Sequence, residues 1–226
     1  MYFNLQRKKT QKTIYYNKLI KGKEKVLNMN KIMWNPAVEV TTHNGVREVD
    51  LMTKHFMKRR VFLQGNIDSD SVHAIMVQLM YLADTSDEPI NIYINSGGGE
   101  VTSGLVLYDF IQSIKCPVNM YCTGIAASMA AVILAGGQKG RRFILPHSKV
   151  MIHEPLLSNG VGGSATSIKN ISDSIIETRN IINGILAKHT GKTQEEIDEA
   201  TSFDNYLNAS QSIEFGLCDK EVTEIL

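Results

Sequence analysis

The chain has 226 residues, 43% of them hydrophobic and 21% charged, and a formal net charge of +1. This is the composition of a folded domain, not a disordered chain, and it excludes a general nucleic-acid binder driven by charge. Cys116, Cys122 and Cys218 lack metal-ligand spacing and read as free thiols. The longest apolar run, 126–135, is too short to cross a bilayer, so the expectation is a cytoplasmic protein.

Residues 1–35 hold nine Lys/Arg against one acid, Glu24, a segment of +8 that leaves −7 for the remainder. Residues 1–34 have no apolar period and are expected to be a basic leader, disordered or removed. From residue 35 an ordered domain is expected to run to 226. Residues 35–46 suggest a hairpin turning on Asn44-Gly45. Arg60–Gln64 reads as a strand closed by Gly65. Val72, Ile75, Met76, Leu79, Met80 and Ala83 give helical spacing over 69–83, with Asp68 or Ser69 as cap. A strand at Asn91–Asn95 leads through three glycines to a helix at 101–114. A strand at Val118–Cys122 leads through Gly124 to a second strand-to-helix turn at Ala127-Ser128-Met129. A strand at 149–152 ends at His153. A long helix over 165–189 stops at Thr190-Gly191. Short helices at 194–201 and 210–215 and a last strand at 222–225 complete the chain. Alternating strands and helices make the fold class α/β.

Two positions invite chemistry. Gly97, Gly98 and Gly99 at a strand end expose backbone N–H groups that suit an anion or oxyanion. No Gly-Lys-Ser/Thr follows, so a phosphate loop is disfavoured. Ser128 opens an apolar helix between small residues; a helix cap is the plain alternative to a nucleophile. A nucleophilic serine needs a base and an orienting acid. Among six histidines, His43, His55 and His73 lie in polar sequence, His147 in a turn, and His189 at a helix end, where a cation is favoured. His153, at the end of an apolar strand, is the best mounted. Asp173, Asp198, Asp204 and Asp219 remain open as the acid.

Four segments together resemble the Clp protease proteolytic subunit (ClpP) family. They are Tyr93-Ile94-Asn95-Ser96-Gly97-Gly98-Gly99, Gly124-Ile125-Ala126-Ala127-Ser128-Met129-Ala130, Met151-Ile152-His153-Glu154-Pro155-Leu156, and a C-terminal part. The last comprises His189-Thr190-Gly191, Asp204 and Glu214-Phe215-Gly216-Leu217-Cys218-Asp219. The 25 residues between Ser128 and His153 fit as well. The resemblance implies Ser128 as nucleophile, His153 as base and Asp204 as acid. It places the oxyanion N–H groups on Gly99 and Met129. It implies repeated β-β-α units with a projecting handle at about 156–190. There Val161-Gly162-Gly163-Ser164 would be a glycine-rich strand that, with Gly98, contacts substrate backbone. It further implies two stacked heptamers fed with unfolded polypeptide by a AAA+ unfoldase of the ClpX, ClpA or ClpC type. ATP would be used by that partner, and this chain would need no cofactor, metal, nucleic acid or membrane.

The sequence departs from the family pattern at five places. Gly97 stands where Pro is usual and Glu154 where Gln is usual. Phe203 replaces the Arg that precedes the acid and forms ion pairs between rings. The pocket that receives the unfoldase keeps Tyr93 but has Asn91 and Ser113 in place of aromatic residues. These changes suggest a divergent paralogue, active alone or only beside a second ClpP-type subunit. An acyl-CoA enzyme of crotonase type, which shares paired oxyanion N–H groups, is the alternative from another class.

Overall fold

The computed structural model describes residues 36–43, 45–157 and 160–225. The leader at 1–34 and the turn residue Asn44 lie outside them. The chain divides into two compact units at Lys58/Arg59. In the first, β1 (Ala37–Thr42) and β2 (Gly45–Asp50) pair antiparallel from Ala37↔Asp50 to Thr42↔Gly45, as a hairpin requires. The following helix α1 (Leu51–Met57), which the sequence reading did not foresee, starts at Asp50, whose carboxylate accepts the Thr53 N–H at 2.8 Å.

The second unit is a seven-stranded, almost entirely parallel sheet with helices. Its strands are β3 (Arg60–Ile67), β4 (Ile90–Gly99), β5 (Val118–Ala127), β6 (Arg142–Ile144), β7 (Lys149–Ile152), β8 (Asn205–Leu207) and β9 (Lys220–Glu221). The order is β3-β4-β5-β6-β9, with β7 against β5, and β8 antiparallel to β7. The helices are α2 (Ser69–Thr85), α3 (Val101–Ser113), α4 (Met129–Ala135), α5 (Ala165–Thr190), α6 (Gln194–Thr201) and α7 (Ala209–Phe215). The α/β class is as expected from the alternation.

The β3, β4 and β5 strands run three to five residues further than their apolar stretches suggest. The polar ends Gln64–Ile67, Ser96–Gly99 and Thr123–Ala127 still pair, across register shifts at Gln64/Asn66 and Ile94/Ser96. Gly65 therefore sits at a bulge inside β3 and does not close it. The first part of β5 (Met120–Cys122) pairs with β6, and its last part (Ile125–Ala127) pairs with β7. The sheet thus forks at Thr123-Gly124, and the arm that pairs with β7 runs on to Ser128. β6 was missed because Arg142 breaks its apolar pattern. The last strand is Lys220–Glu221, not 222–225: these two residues are in register with Phe143 and Ile144 of β6, and the pairing ends with the Val222 N–H on the Ile144 carbonyl at 3.0 Å.

The core lies along β4 and β5, with Ile90, Ile92, Ile94, Met120, Cys122 and Ala126 buried, and all seven residues of α4 are buried too. Each buried Ile, Leu or Met contributes about 1.5–3 kcal/mol. Arg142, 1% exposed, is the largest polar exception. Its guanidinium pairs with Asp219 at 2.5 Å and donates to the carbonyls of Ala135, His189 and Gly216, binding the C-terminal ends of α4, α5 and α7. In α5 only Ile182, Asn183 and Leu186 are buried, so its N-terminal half is largely uncovered.

Candidate active site

The sheet register brings three side chains together. Ala127 is the last residue of β5 and pairs with Met151 of β7; Ile152 is the last of β7 and pairs with Asn205, the first of β8. One step beyond each of these strand ends lie Ser128, His153 and Asp204. Carboxyl ends of parallel strands are where open α/β sheets place their chemistry. The Glu154 N–H donates to the Thr201 carbonyl at 2.8 Å and Asn205 Nδ2 donates to the Ala200 carbonyl at 3.1 Å. These bonds hold the His153 and Asp204 strand ends against the end of α6.

His153 Nε2 lies 2.9 Å from Ser128 Oγ, and His153 Nδ1 lies 2.9 Å from Asp204 Oδ1. Ser128 occupies the N-cap position of α4 but makes no side-chain cap bond. Its φ of 54° is one of two positive values among the described non-glycine residues, a conformation that costs on the order of 1–3 kcal/mol. The cap alternative therefore fails: the hydroxyl is turned away from the helix and toward the imidazole. The other acids are engaged elsewhere. Asp173 pairs with Lys169, Asp198 accepts from Asn183 and Gln194, and Asp219 pairs with Arg142. Burial works against the Asp219 carboxylate, but the hydrogen bonds and charge of Arg142 outweigh it and hold the carboxyl below its ordinary range.

The glycine turn abuts the serine. A Cβ on Gly98 (φ 92°) would lie 2.7 Å from both the Ala127 carbonyl oxygen and Ser128 Cβ, and 3.1 Å from the Met129 nitrogen. A Cβ on Gly99 (φ 155°) would overlap the Ile67 backbone. Gly97 has nothing within 4 Å of such a position. Met129 is the first residue of α4, so its N–H has no carbonyl one turn back within the helix. Of the residues named for an oxyanion, Met129 follows the serine directly at the start of α4, and Gly99 follows Gly98, the glycine packed against Ser128.

A cavity of about 360 Å³ is walled by Pro155 and Leu156, which follow His153 in the chain by two and three residues, and by Val101, Ile171, Ile175 and Thr178. It is mostly apolar and suits an apolar side chain. The walls from α5 were not foreseen; nothing in a helical period says which face meets a cleft. Glu154 beside the cavity lies 3.7 Å from Arg179 of α5.

Other expected site residues fall differently. Residues 161–164 form no strand: Gly162 and Gly163 are exposed coil, and Ser164 accepts the Ser167 N–H at 3.2 Å as the cap of α5. Helix capping outcompetes pairing because, among the described residues, no strand pairs with this segment. Tyr93 is buried in β4, stacked between Phe62 at 5.4 Å and Tyr121 at 5.2 Å, and Phe143 extends the ladder beyond Tyr121 at 4.9 Å. The Tyr93 hydroxyl donates to the Ile225 carbonyl at 2.9 Å. Asn91 accepts from Asn119 at 2.9 Å. His189 is not the solvated helix-end cation expected. Burial, then Lys188 and Arg142, push its pKa down, and its Nε2 lies 2.8 Å from the Tyr108 hydroxyl. Cys116, Cys122 and Cys218 are free and buried, and burial raises the Cys122 and Cys218 thiols. Among the described residues no group of three His, Cys, Asp or Glu could hold a metal, and no helix is long and apolar enough to cross a membrane.

A forked parallel sheet that presents a strained serine to an imidazole and a carboxylate has the architecture of a hydrolase. Residues 43–224 match the family model described as Clp protease, and the chain belongs to that family. Membership places it among the ClpP-type proteases.

Proposed function

We propose that this chain is a serine endopeptidase subunit that cleaves peptide bonds of unfolded polypeptides. The observation that carries the reading is the hydrogen-bonded line Ser128–His153–Asp204 with both spacings at 2.9 Å. As the Ser128 hydroxyl attacks a peptide carbonyl, His153 Nε2 accepts its proton and then delivers it to the leaving amine. Asp204 receives the Nδ1 hydrogen bond, which fixes the tautomer and stabilises the imidazolium. The N–H groups of Gly99 and Met129 hold the tetrahedral oxyanion, a contribution of roughly 3 kcal/mol per donor in enzymes of this kind. The apolar cavity walled by Val101 and Pro155 receives the side chain next to the scissile bond.

The subunit works in two stacked heptameric rings, supplied by a AAA+ unfoldase that uses the ATP. Residues 35–226 form the peptidase domain, with a handle at about 156–190, and residues 1–34 are a basic leader to it. Tyr93 belongs to the surface that docks the unfoldase, and the backbone of Gly98, Gly162, Gly163 and Ser164 contacts substrate. The protein works in the cytoplasm. A second reading, a subunit active only beside another ClpP-type subunit, is favoured by the 61% exposure of Phe203 and the 60% side-chain exposure of Asp204. A neighbouring copy would cover both. A crotonase-type enzyme would have no use for the serine line.

The test is cleavage of short fluorogenic peptides together with labelling by a fluorophosphonate, on wild type and Ser128→Ala. Wild type alone or with a second subunit should cleave and label at Ser128. Labelling without cleavage under any assembly, or cleavage that survives Ser128→Ala, overturns the proposal.

A further inference from the structure

Glu100 stands between two parts of the candidate site. Gly99, just before it, belongs to the turn against Ser128, and Val101, just after it, walls the apolar cavity. The Glu100 N–H donates to the Ile67 carbonyl at 2.7 Å, so the backbone is fixed at this point. The carboxylate is fixed as well: Ser103, itself buried, donates its hydroxyl to Glu100 Oε2 at 2.5 Å. That bond confines the charge to the first turn of α3, beside the cavity wall.

The charges around the cleft are not equivalent. Asp204 faces the His153 imidazole, and Glu154 faces Arg179. Glu100 is exposed, and among the described residues no cation pairs with it. Its partner Ser103 is neutral. Glu100 therefore holds an exposed carboxylate with no cation partner among the described residues, directly between Gly99 of the glycine turn and Val101 of the cavity wall.

We propose that Glu100 is a specificity-determining residue that favours substrates carrying Lys or Arg next to the apolar side chain held in the cavity, and disfavours Asp or Glu there. This rests on the peptidase reading. Opposite charges at several ångströms across a partly hydrated cleft attract and like charges repel, so the two substrate types should separate by about fivefold in kcat/KM. Because Glu100 is exposed, salt should shrink that ratio.

The test uses quenched fluorogenic peptides with one Leu flanked on either side by Lys, Gln or Glu, and reads ratios of kcat/KM at low and high salt. Wild type should prefer Lys over Glu about fivefold at low salt and less at high salt. Glu100→Gln should bring the ratio close to one and Glu100→Lys should invert it. Ser103→Ala frees the carboxylate without removing it and should leave an intermediate ratio. Binding of the same peptides to Ser128→Ala protein, followed by fluorescence anisotropy, gives a readout independent of turnover and should rank them in the same order. Cleavage of all three peptides at equal rates overturns the Glu100 assignment and leaves the peptidase reading standing. Failure to cleave the Gln peptide in any assembly overturns both. A Lys preference unchanged in Glu100→Gln and Glu100→Lys also overturns the assignment.

Discussion

The Ser128 N–H donates at 2.9 Å to the carbonyl of Met151, the β7 residue two positions before His153. This single bond sets the distance between the serine and the imidazole. It extends the β5–β7 pairing by one step and holds Ser128 in its positive-φ conformation. The serine's geometry is thus inherited from the fork of the sheet, not from its own loop.

Removing the hydroxyl or the acid should therefore remove turnover without removing the fold. Ser128→Ala should abolish cleavage of a fluorogenic peptide. Asp204→Asn should lower kcat by on the order of 10⁴, as loss of the correct tautomer does in other triads. Circular dichroism should show all variants folded. Wild-type turnover in Asp204→Asn would remove Asp204 from the mechanism.

The two inner glycines of the turn should behave differently from the first. A Cβ at position 98 would sit 2.7 Å from Ser128 Cβ and from the Ala127 carbonyl oxygen, whereas one at position 97 would meet nothing within 4 Å. Gly98→Ala must displace the serine or the strand end. It should cost roughly 1–3 kcal/mol of stability together with most of the activity. Gly97→Ala should keep the fold within about 1 kcal/mol and retain most turnover. Parallel denaturant curves and peptide assays decide this; an active Gly98→Ala would show that the turn can yield.

Much of this was legible because the site residues sit where one pattern changes to another. Ser128 ends a β5 pattern and opens an apolar helix; His153 ends Val150-Met151-Ile152. Asp204 was not legible from pattern, because its strand is three residues long and pairs only with β7. Only the family resemblance singled it out. The cavity walls on α5 and the role of Arg142 stayed hidden for a different reason. Both depend on contacts far apart in sequence, such as Arg142 with Asp219, and an arginine in a short strand reads as solvated until its partner is placed. The glycine-rich segment misled in the opposite direction. Val161–Ser164 looks extended, yet a strand forms only with a neighbour to pair, and in the single chain Ser164 caps α5 instead.

His189 provides a test on stability. Burial lowers its pKa below the ordinary histidine value, with Lys188 and Arg142 acting in the same direction. The unfolded chain therefore binds this proton more readily than the folded one. The stabilisation is present above about pH 6.5, the ordinary histidine value, and is lost as pH falls below it. Tm should drop between pH 7.5 and 5.5. His189→Gln, which keeps a hydrogen-bonding group near Tyr108 but cannot titrate, should show a smaller drop. Equal drops in both proteins would mean that other groups dominate the acid sensitivity.

In the proposed ring assembly Phe203 would link the site to the contact between rings. It precedes Asp204 directly, is 61% exposed, and lies three residues before Tyr206, itself 54% exposed. The family resemblance puts an ion-pairing arginine at this position, close to the contact between rings. Phe203 cannot form an ion pair, but burying it against a second ring would contribute roughly 1.5–3 kcal/mol per subunit. Screening acts on charges and not on apolar burial, so stacking held this way should survive raised ionic strength. Phe203→Ala should weaken stacking, and with it peptidase activity, since Asp204 is covalently next to the lost contact. Sedimentation velocity at low and high salt, on wild type and Phe203→Ala, measures the first effect; peptide cleavage on the same samples measures the second. Rings that separate in salt alone would point to an ionic contact elsewhere, and a Phe203→Ala particle that stacks and cleaves normally would remove Phe203 from the interface.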